Sequence, residues 1–139
     1  MTAKEYLSQA RDAKRRIALL TARREKYEAR ATSGVARYHA GPGGSTRRVS
    51  SVEKYALKLV DLTRELDAEI AHYTEVRCEI INVIRAVDDF DERQVLTLRY
   101  LDGWSWRRII DAMSYSERSV FYIHGRALQK IHVPKKSLQ

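Results

Sequence analysis

Apolar residues recur three and four apart along two long stretches of this 139-residue chain. In the first stretch, Ala3, Tyr6, Ala10, Ala13, Ile17, Leu20, Arg24, Tyr27 and Ala31 form one seam, interrupted only by Arg24. Such positions share one edge of an α-helix, so the spacing predicts a helix over residues 3–31. Arg15, Arg16, Arg23 and Arg30 fall mostly off that edge and leave the other faces basic. In the second stretch the seam runs Val52, Tyr55, Leu59, Leu62, Leu66, Glu69, Tyr73, Val76, Ile80, Val83 and Val87. All but Glu69 are apolar, over five heptads, which is a coiled-coil pattern. Ala56, Ile70, Ile81 and Ile84 widen the stripe and predict burial against more than one neighbour toward its end. Ser50 or Ser51 is placed to cap this second helix.

Neither helix buries its seam alone. An antiparallel hairpin of the two satisfies both, and so does a homodimer through helix 52–87; the pattern leaves both open. Residues 32–50 break the periodicity with Gly34, Gly41, Pro42, Gly43 and Gly44, which predicts a loop of about 32–50. Arg37, Arg47 and Arg48 lie in it and suit either a phosphate backbone or solvent.

Beyond residue 87 the pattern becomes shorter and more punctuated. Asp88-Asp89-Phe90-Asp91-Glu92 reads as a helix start, with carboxylates serving as N-cap and helix-dipole partners rather than as a cation site. A helix over Asp91–Leu101 follows, with Val95, Leu96, Leu98 and Tyr100 toward a core. Asp102-Gly103 stops it. Ser105 caps a second helix whose apolar side is Trp106, Ile109, Ile110 and Met113. After a Met113-Ser114-Tyr115-Ser116 junction, Ser116 caps a third, which turns Val120, Ile123, Ala127, Leu128 and Ile131 inward and ends before Pro134. Two cap-initiated helices around a tight junction are the layout of a helix-turn-helix, which places its second helix in the DNA major groove. The outward face of the last helix then shows Glu117, Arg118, Ser119, Phe121, Tyr122, Gly125, Arg126 and Gln129.

Composition sharpens this picture. Two prolines, six glycines and 44% hydrophobic residues favour an all-α chain. The formal charge of +8 favours polyanions as partners. Residues 1–50 carry net +8, 51–90 net −4 and 91–139 net +4, so two basic segments flank an acidic one that offsets part of the first. The single cysteine, Cys78, excludes an internal disulfide and suits the cytoplasm. No secretory leader and no 18-residue apolar run stand in the sequence, so no membrane is expected. His39, His72, His124 and His132 have no metal-ligand spacing with Cys78 or one another, so no metal or other cofactor is expected. Gly41-Pro42-Gly43-Gly44-Ser45 lacks the Lys-Ser/Thr of a phosphate-binding loop, and no catalytic motif occurs, so the chain is not expected to be an enzyme.

The segment VLTLRYLDGWSW, the Ile109/Met113 pair, the Ser116 cap, Val120 and Ile123, and Ala127-Leu128 followed by Lys130-Ile131 resemble region 4 of sigma-70-type factors. That resemblance covers about 40 residues and implies a promoter-reading domain. By it, Glu117, Arg118, Ser119, Phe121 and Tyr122 take the base-contacting positions, although the family usually has polar residues where Phe121 and Tyr122 stand. Arg107, Arg108, Arg126, Lys130, Lys135 and Lys136 are expected on phosphates, which position without reading sequence. As a whole, through KEYLSQARDAKRRI and RYLDGWSWRRI, the chain is similar to short phage and prophage proteins of Gram-positive bacteria described as late-transcription regulators. The resemblance includes no counterpart of the region that melts a −10 element, which implies an activator or partial sigma analogue.

The expectation is therefore an all-α protein with two parts. Residues 1–89 form a helical hairpin for assembly, and residues 90–139 form a helix-turn-helix that binds double-stranded DNA and touches RNA polymerase. The rival readings are a phage DNA-packaging or recombination accessory and a protein-binding adaptor with no DNA role.

Overall fold

The computed structural model describes the backbone of residues 1–40 and 46–135, and the side chains of residues 1–32 and 51–135. All regular structure among them is helical: α1 (Ala3–Ala40), α2 (Thr46–Arg85), α3 (Phe90–Leu96) running into a π-helical turn (Thr97–Leu101), α4 (Trp106–Met113) and α5 (Glu117–Gln129). No helix among the described residues is long and apolar enough to cross a membrane.

Three boundaries differ from those the pattern predicts. The loop expected over 32–50 is largely helix: α1 continues through Gly34 to Ala40, and α2 begins at Thr46, ahead of the expected Ser50 or Ser51 cap. A single glycine costs a helix only about 1 kcal/mol relative to alanine, too little to stop one already propagating. Gly41-Pro42-Gly43-Gly44-Ser45 and the side chains of Arg37, Arg47 and Arg48 lie outside the described residues. The helix expected over Asp91–Leu101 starts one residue earlier and changes pitch. Asp102 N–H donates to Thr97 O at 3.0 Å and Trp104 N–H to Leu98 O at 2.9 Å, so the backbone widens after Leu96.

The chain divides into two compact units, Arg15–Ala71 and Met1–Lys14 with His72–Gln139. In the first, none of the seam residues from Ile17 to Ala31 or from Val52 to Glu69 is exposed. Each polar break in a seam has a partner: Arg24 Nε donates to Thr63 Oγ1 at 3.0 Å, and Glu69 takes Arg16 Nε at 2.8 Å. Tyr27 and Tyr55 meet with ring centroids 5.9 Å apart. Partners rise along one helix as they fall along the other, so the two segments run antiparallel.

In the second unit, Thr2 and Glu5 open α1 as a reciprocal capping box, Glu5 N–H on Thr2 Oγ1 (3.2 Å) and Thr2 N–H on Glu5 Oε2 (2.8 Å). One apolar cluster joins Tyr6, Leu7 and Ala10 of α1 to Val76, Ile80 and Ile84 of α2, with Val87, Leu96, Tyr100, Ala127 and Ile131. A second joins Val95, Leu98, Ile109 and Val120, with Trp104, Trp106, Ile110, Met113 and Ile123 against it. Val95 and Leu98 serve one cluster while Leu96 and Tyr100 serve the other. Helix α3 and its π-turn thus bury two opposite faces, and the change of pitch lets both faces stay inward.

Two polar contacts fix α5, one on a buried carboxylate and one wholly inside the fold. Glu92, 3% exposed, accepts Lys130 Nζ at 2.6 Å, with Arg126 Nε 3.7 Å away. Tyr100 Oη and His124 Nε2 lie 2.7 Å apart inside the fold. Burial first, then the nearby Lys4 and Arg99 charges, lower the His124 pKa from 6.5 to about 4. The imidazole is harder to protonate in the fold than in the unfolded chain. Its contribution to stability is therefore complete above about pH 6.5 and is lost as pH falls toward about 4. Between about pH 7.5 and about pH 5, the native chain should lose about 2 kcal/mol more than a His124→Gln variant in urea unfolding. Equal losses would rule out His124 as the titrating group.

The Glu92 contact is tested by a double-mutant cycle. Lys130→Met alone leaves a buried carboxylate short of its nearer cation and should cost about 1–3 kcal/mol. Adding Glu92→Leu should restore most of that stability; two additive losses would show that the pair is not coupled.

Candidate nucleic-acid interface

Helix α4 begins where Ser105 accepts Arg108 N–H on its side chain (3.2 Å), after Gly103 has turned the chain at φ +71°. Its amphipathic face is short: Ile109 is fully buried, while Arg107, Arg108 and Asp111 face solvent. The helix ends at Ser114, which adopts a left-handed conformation (φ 57°, ψ 27°). That geometry costs a side-chain-bearing residue about 1–2 kcal/mol, and here it reverses the chain within three residues. Ser116 then caps α5, accepting Ser119 N–H at 3.2 Å. Tyr115, between them, donates its hydroxyl to Asp91 Oδ2 at 2.8 Å and so ties the junction to the start of α3. The hydrogen bond and the negative charge of Asp91 raise the Tyr115 pKa above its usual value.

The outward flank of α5 is open. Glu117, Arg118, Phe121, Tyr122, Gly125, Arg126 and Gln129 are all exposed, Tyr122 at 66% and Phe121 at 41%. Arg118 forms no ion pair or hydrogen bond among the described residues. It lines a groove of about 400 Å³ with Tyr115, Ser119, Tyr122 and Ile123. Ser119 is half-buried and engaged with the Ser116 cap, its hydroxyl 2.9 Å from that of Ser116. Phe121 packs on Trp106 with centroids 4.9 Å apart, and Trp106 meets His124 edge-on at 4.7 Å. Of the five positions expected at base edges, Glu117, Arg118 and Tyr122 are the ones without a structural task of this kind. A side chain added at Gly125 would meet nothing within 4 Å, so no contact inside the chain demands glycine there.

The expected phosphate residues separate into groups. Arg107 and Arg108 extend from α4, with the Arg108 guanidinium 3.8 Å from the Trp104 ring. Arg126 lies between Glu92 and the Tyr122 ring, whose centroid is 5.9 Å away. Lys130 is committed to Glu92. Lys135 is exposed, and Lys136 lies outside the described residues.

Two participants escaped sequence reasoning. Glu92 looked like a dipole partner at a helix start; its burial follows from α5 crossing α3, which no local pattern encodes. Tyr115 looked like a turn residue. Its signal was an aromatic ring in a position where small polar residues usually serve. Among the described residues, no group of three or more His, Cys, Asp or Glu side chains is placed to hold a metal ion.

Residues 31–132 match the family described as "Protein of unknown function (DUF1492)". No curated protein and no solved structure matches the chain. The family match takes in most of the chain, including α2 through α5. The chain belongs to the DUF1492 family.

Proposed function

We propose that this chain is a sequence-specific DNA-binding transcriptional regulator of phage or prophage type. Helices α4 and α5 act as a sigma-like helix-turn-helix, and α5 enters the major groove. The observation that carries this reading is the exposed α5 flank from Glu117 to Arg126, held from behind by buried contacts. A groove-reading helix needs both properties, a free outward face and a fixed axis. Arg118 suits a guanine O6/N7 edge, Glu117 a cytosine amino group, and Tyr122 a thymine methyl. Arg107 and Arg108 at the start of α4 suit phosphates flanking the groove. The protein then recruits or modulates RNA polymerase at promoters in the cytoplasm, and the long α1–α2 hairpin serves assembly.

A homodimer through helix 52–87 that keeps the seam packed within each chain would pair through other positions, since none of the seam residues from Val52 to Val87 is exposed. Such a pairing would use exposed apolar positions off the seam, Leu57 (67% exposed) and Val60 (49%).

Selection of bound duplexes from a random pool should return a defined motif. On that motif, Arg118→Ala should weaken binding by about tenfold or more and relax preference at one base pair. Arg107→Ala should weaken all duplexes alike and reduce the salt slope by about 1. No enrichment, with both variants indistinguishable from the native chain, would remove the DNA-binding reading. Retention of RNA polymerase on immobilised protein separates a transcription role from DNA packaging or recombination.

A further inference from the structure

We infer that α1 carries a second DNA-backbone surface, separate from α5, on its outward face between Arg15 and Arg30. The inference rests on the reading that this chain binds duplex DNA, and it assigns a contact to the helix otherwise given only an assembly role. Arg15, Leu19, Arg23, Lys26 and Arg30 follow one another in steps of four, four, three and four. In a helix such steps keep to one face. All five are exposed, on a face that borders the seam packed on α2 without belonging to it.

The charges on this face are not tied up in ion pairs. The other two arginines of the segment are occupied, Arg16 by Glu69 and Arg24, within the seam, by Thr63 and Glu28. Arg15, Arg23, Lys26 and Arg30 form no ion pair among the described residues. Arg23 shares a shallow groove with Glu65 and with Glu69, which holds Arg16, so part of its charge is offset there. Arg30 leans on the Tyr27 and Tyr55 rings, 5.9 and 6.0 Å from their centroids, which steadies the side chain without neutralising it.

The four cations span about 22 Å along one helix. A duplex offers one negative charge per about 1.7 Å of its axis, so a line of this length meets phosphates without reshaping either partner. An anionic membrane fits less well. The apolar edge of α1 is turned to α2, and Leu19 is the one large apolar side chain on the outward face, whereas an interfacial helix buries a whole apolar face.

The test is the salt dependence of full-length protein binding to a random-sequence duplex of about 30 base pairs, long enough to span the surface. The compared variants are R15Q/R23Q/K26Q/R30Q, R15K/R23K/R30K and R107A/R118A, with helicity checked for each by circular dichroism. The glutamine variant should lower the slope by about 3 and the affinity by about tenfold or more at moderate salt. It should leave the ratio of selected to random duplex unchanged. The lysine variant should keep the native slope, because phosphate neutralisation needs charge rather than guanidinium shape. R107A/R118A should reduce the ratio and lower the slope by about 1. A glutamine variant with the native slope, beside a weakened R107A/R118A, overturns the α1 surface and leaves the α5 reading standing. The reverse pattern overturns the α5 reading and supports the α1 surface. Binding of the native chain to phosphatidylserine vesicles but not to duplex overturns both.

Discussion

Val120, His124 and Ala127 follow at steps of four and three, and this buried edge of α5, continued by Ile131 just past its end, governs the second unit. Val120 enters the cluster with Val95, Leu98 and Ile109, and Ala127 and Ile131 enter the cluster with Tyr6, Leu7 and Ile80. A helix buried in two cores at once cannot turn about its axis without emptying one of them. The loss of even one large buried aliphatic side chain typically costs about 2–5 kcal/mol. Because the inward edge is fixed in this way, the outward one is fixed too: Arg118 and Tyr122 face solvent as a consequence of what Val120 and Ala127 bury.

The polar contacts behind α5 add direction to that packing. Apolar burial alone tolerates small slides, since one aliphatic surface resembles another. The Glu92 carboxylate, nearly excluded from water, tolerates no slide that draws Lys130 away, because an unpaired buried charge is costly. The Tyr100–His124 contact holds the middle of the helix in the same manner, and Trp106 reaches from His124 to Phe121 on the outer side. Phe121 therefore belongs to the supporting structure of the flank as much as to its surface.

How much of this stood in the sequence depends on the range of the interactions. The seams of α1 and α2 were legible because three–four spacing is local, and no seam residue from Ala3 to Ala31 or from Val52 to Val87 is exposed. The caps at Ser105 and Ser116 were legible for the same reason. Leu7, off the seam yet fully buried, was not: its cover comes from residues more than 65 positions away. The helix reaching Ala40 is not legible locally: Gly34 has the form of a stop, yet its cost is small beside the propagation of a long helix. The π-turn at Thr97–Leu101 was missed because a single helical period cannot assign two buried faces to neighbouring residues. On the candidate site, exposure of the flank was legible by subtraction, whereas the engagement of Lys130, Arg126 and Phe121 was not, since each partner lies on another helix.

The same long-range pairings redistribute charge. Lys130 and, in part, Arg126 offset Glu92, and Glu117 opposes Arg118 at the start of the helix. The flank of α5 is thus much closer to neutrality than its count of cations suggests. On the proposed reading, a near-neutral flank gains its discrimination from the fit of Arg118, Glu117 and Tyr122 to base edges, and supplies little of the general attraction to a polyanion. That attraction must come from cations not tied up in ion pairs. Arg107 on α4 is one such residue, and Arg15, Arg23, Lys26 and Arg30 on α1 are a larger set. General attraction acts on every duplex alike, so wherever it sits it raises the affinity for wrong sequences as much as for right ones and leaves their ratio unchanged. Placed on a different helix, it raises the rate and strength of encounter while α5 alone decides which encounters persist.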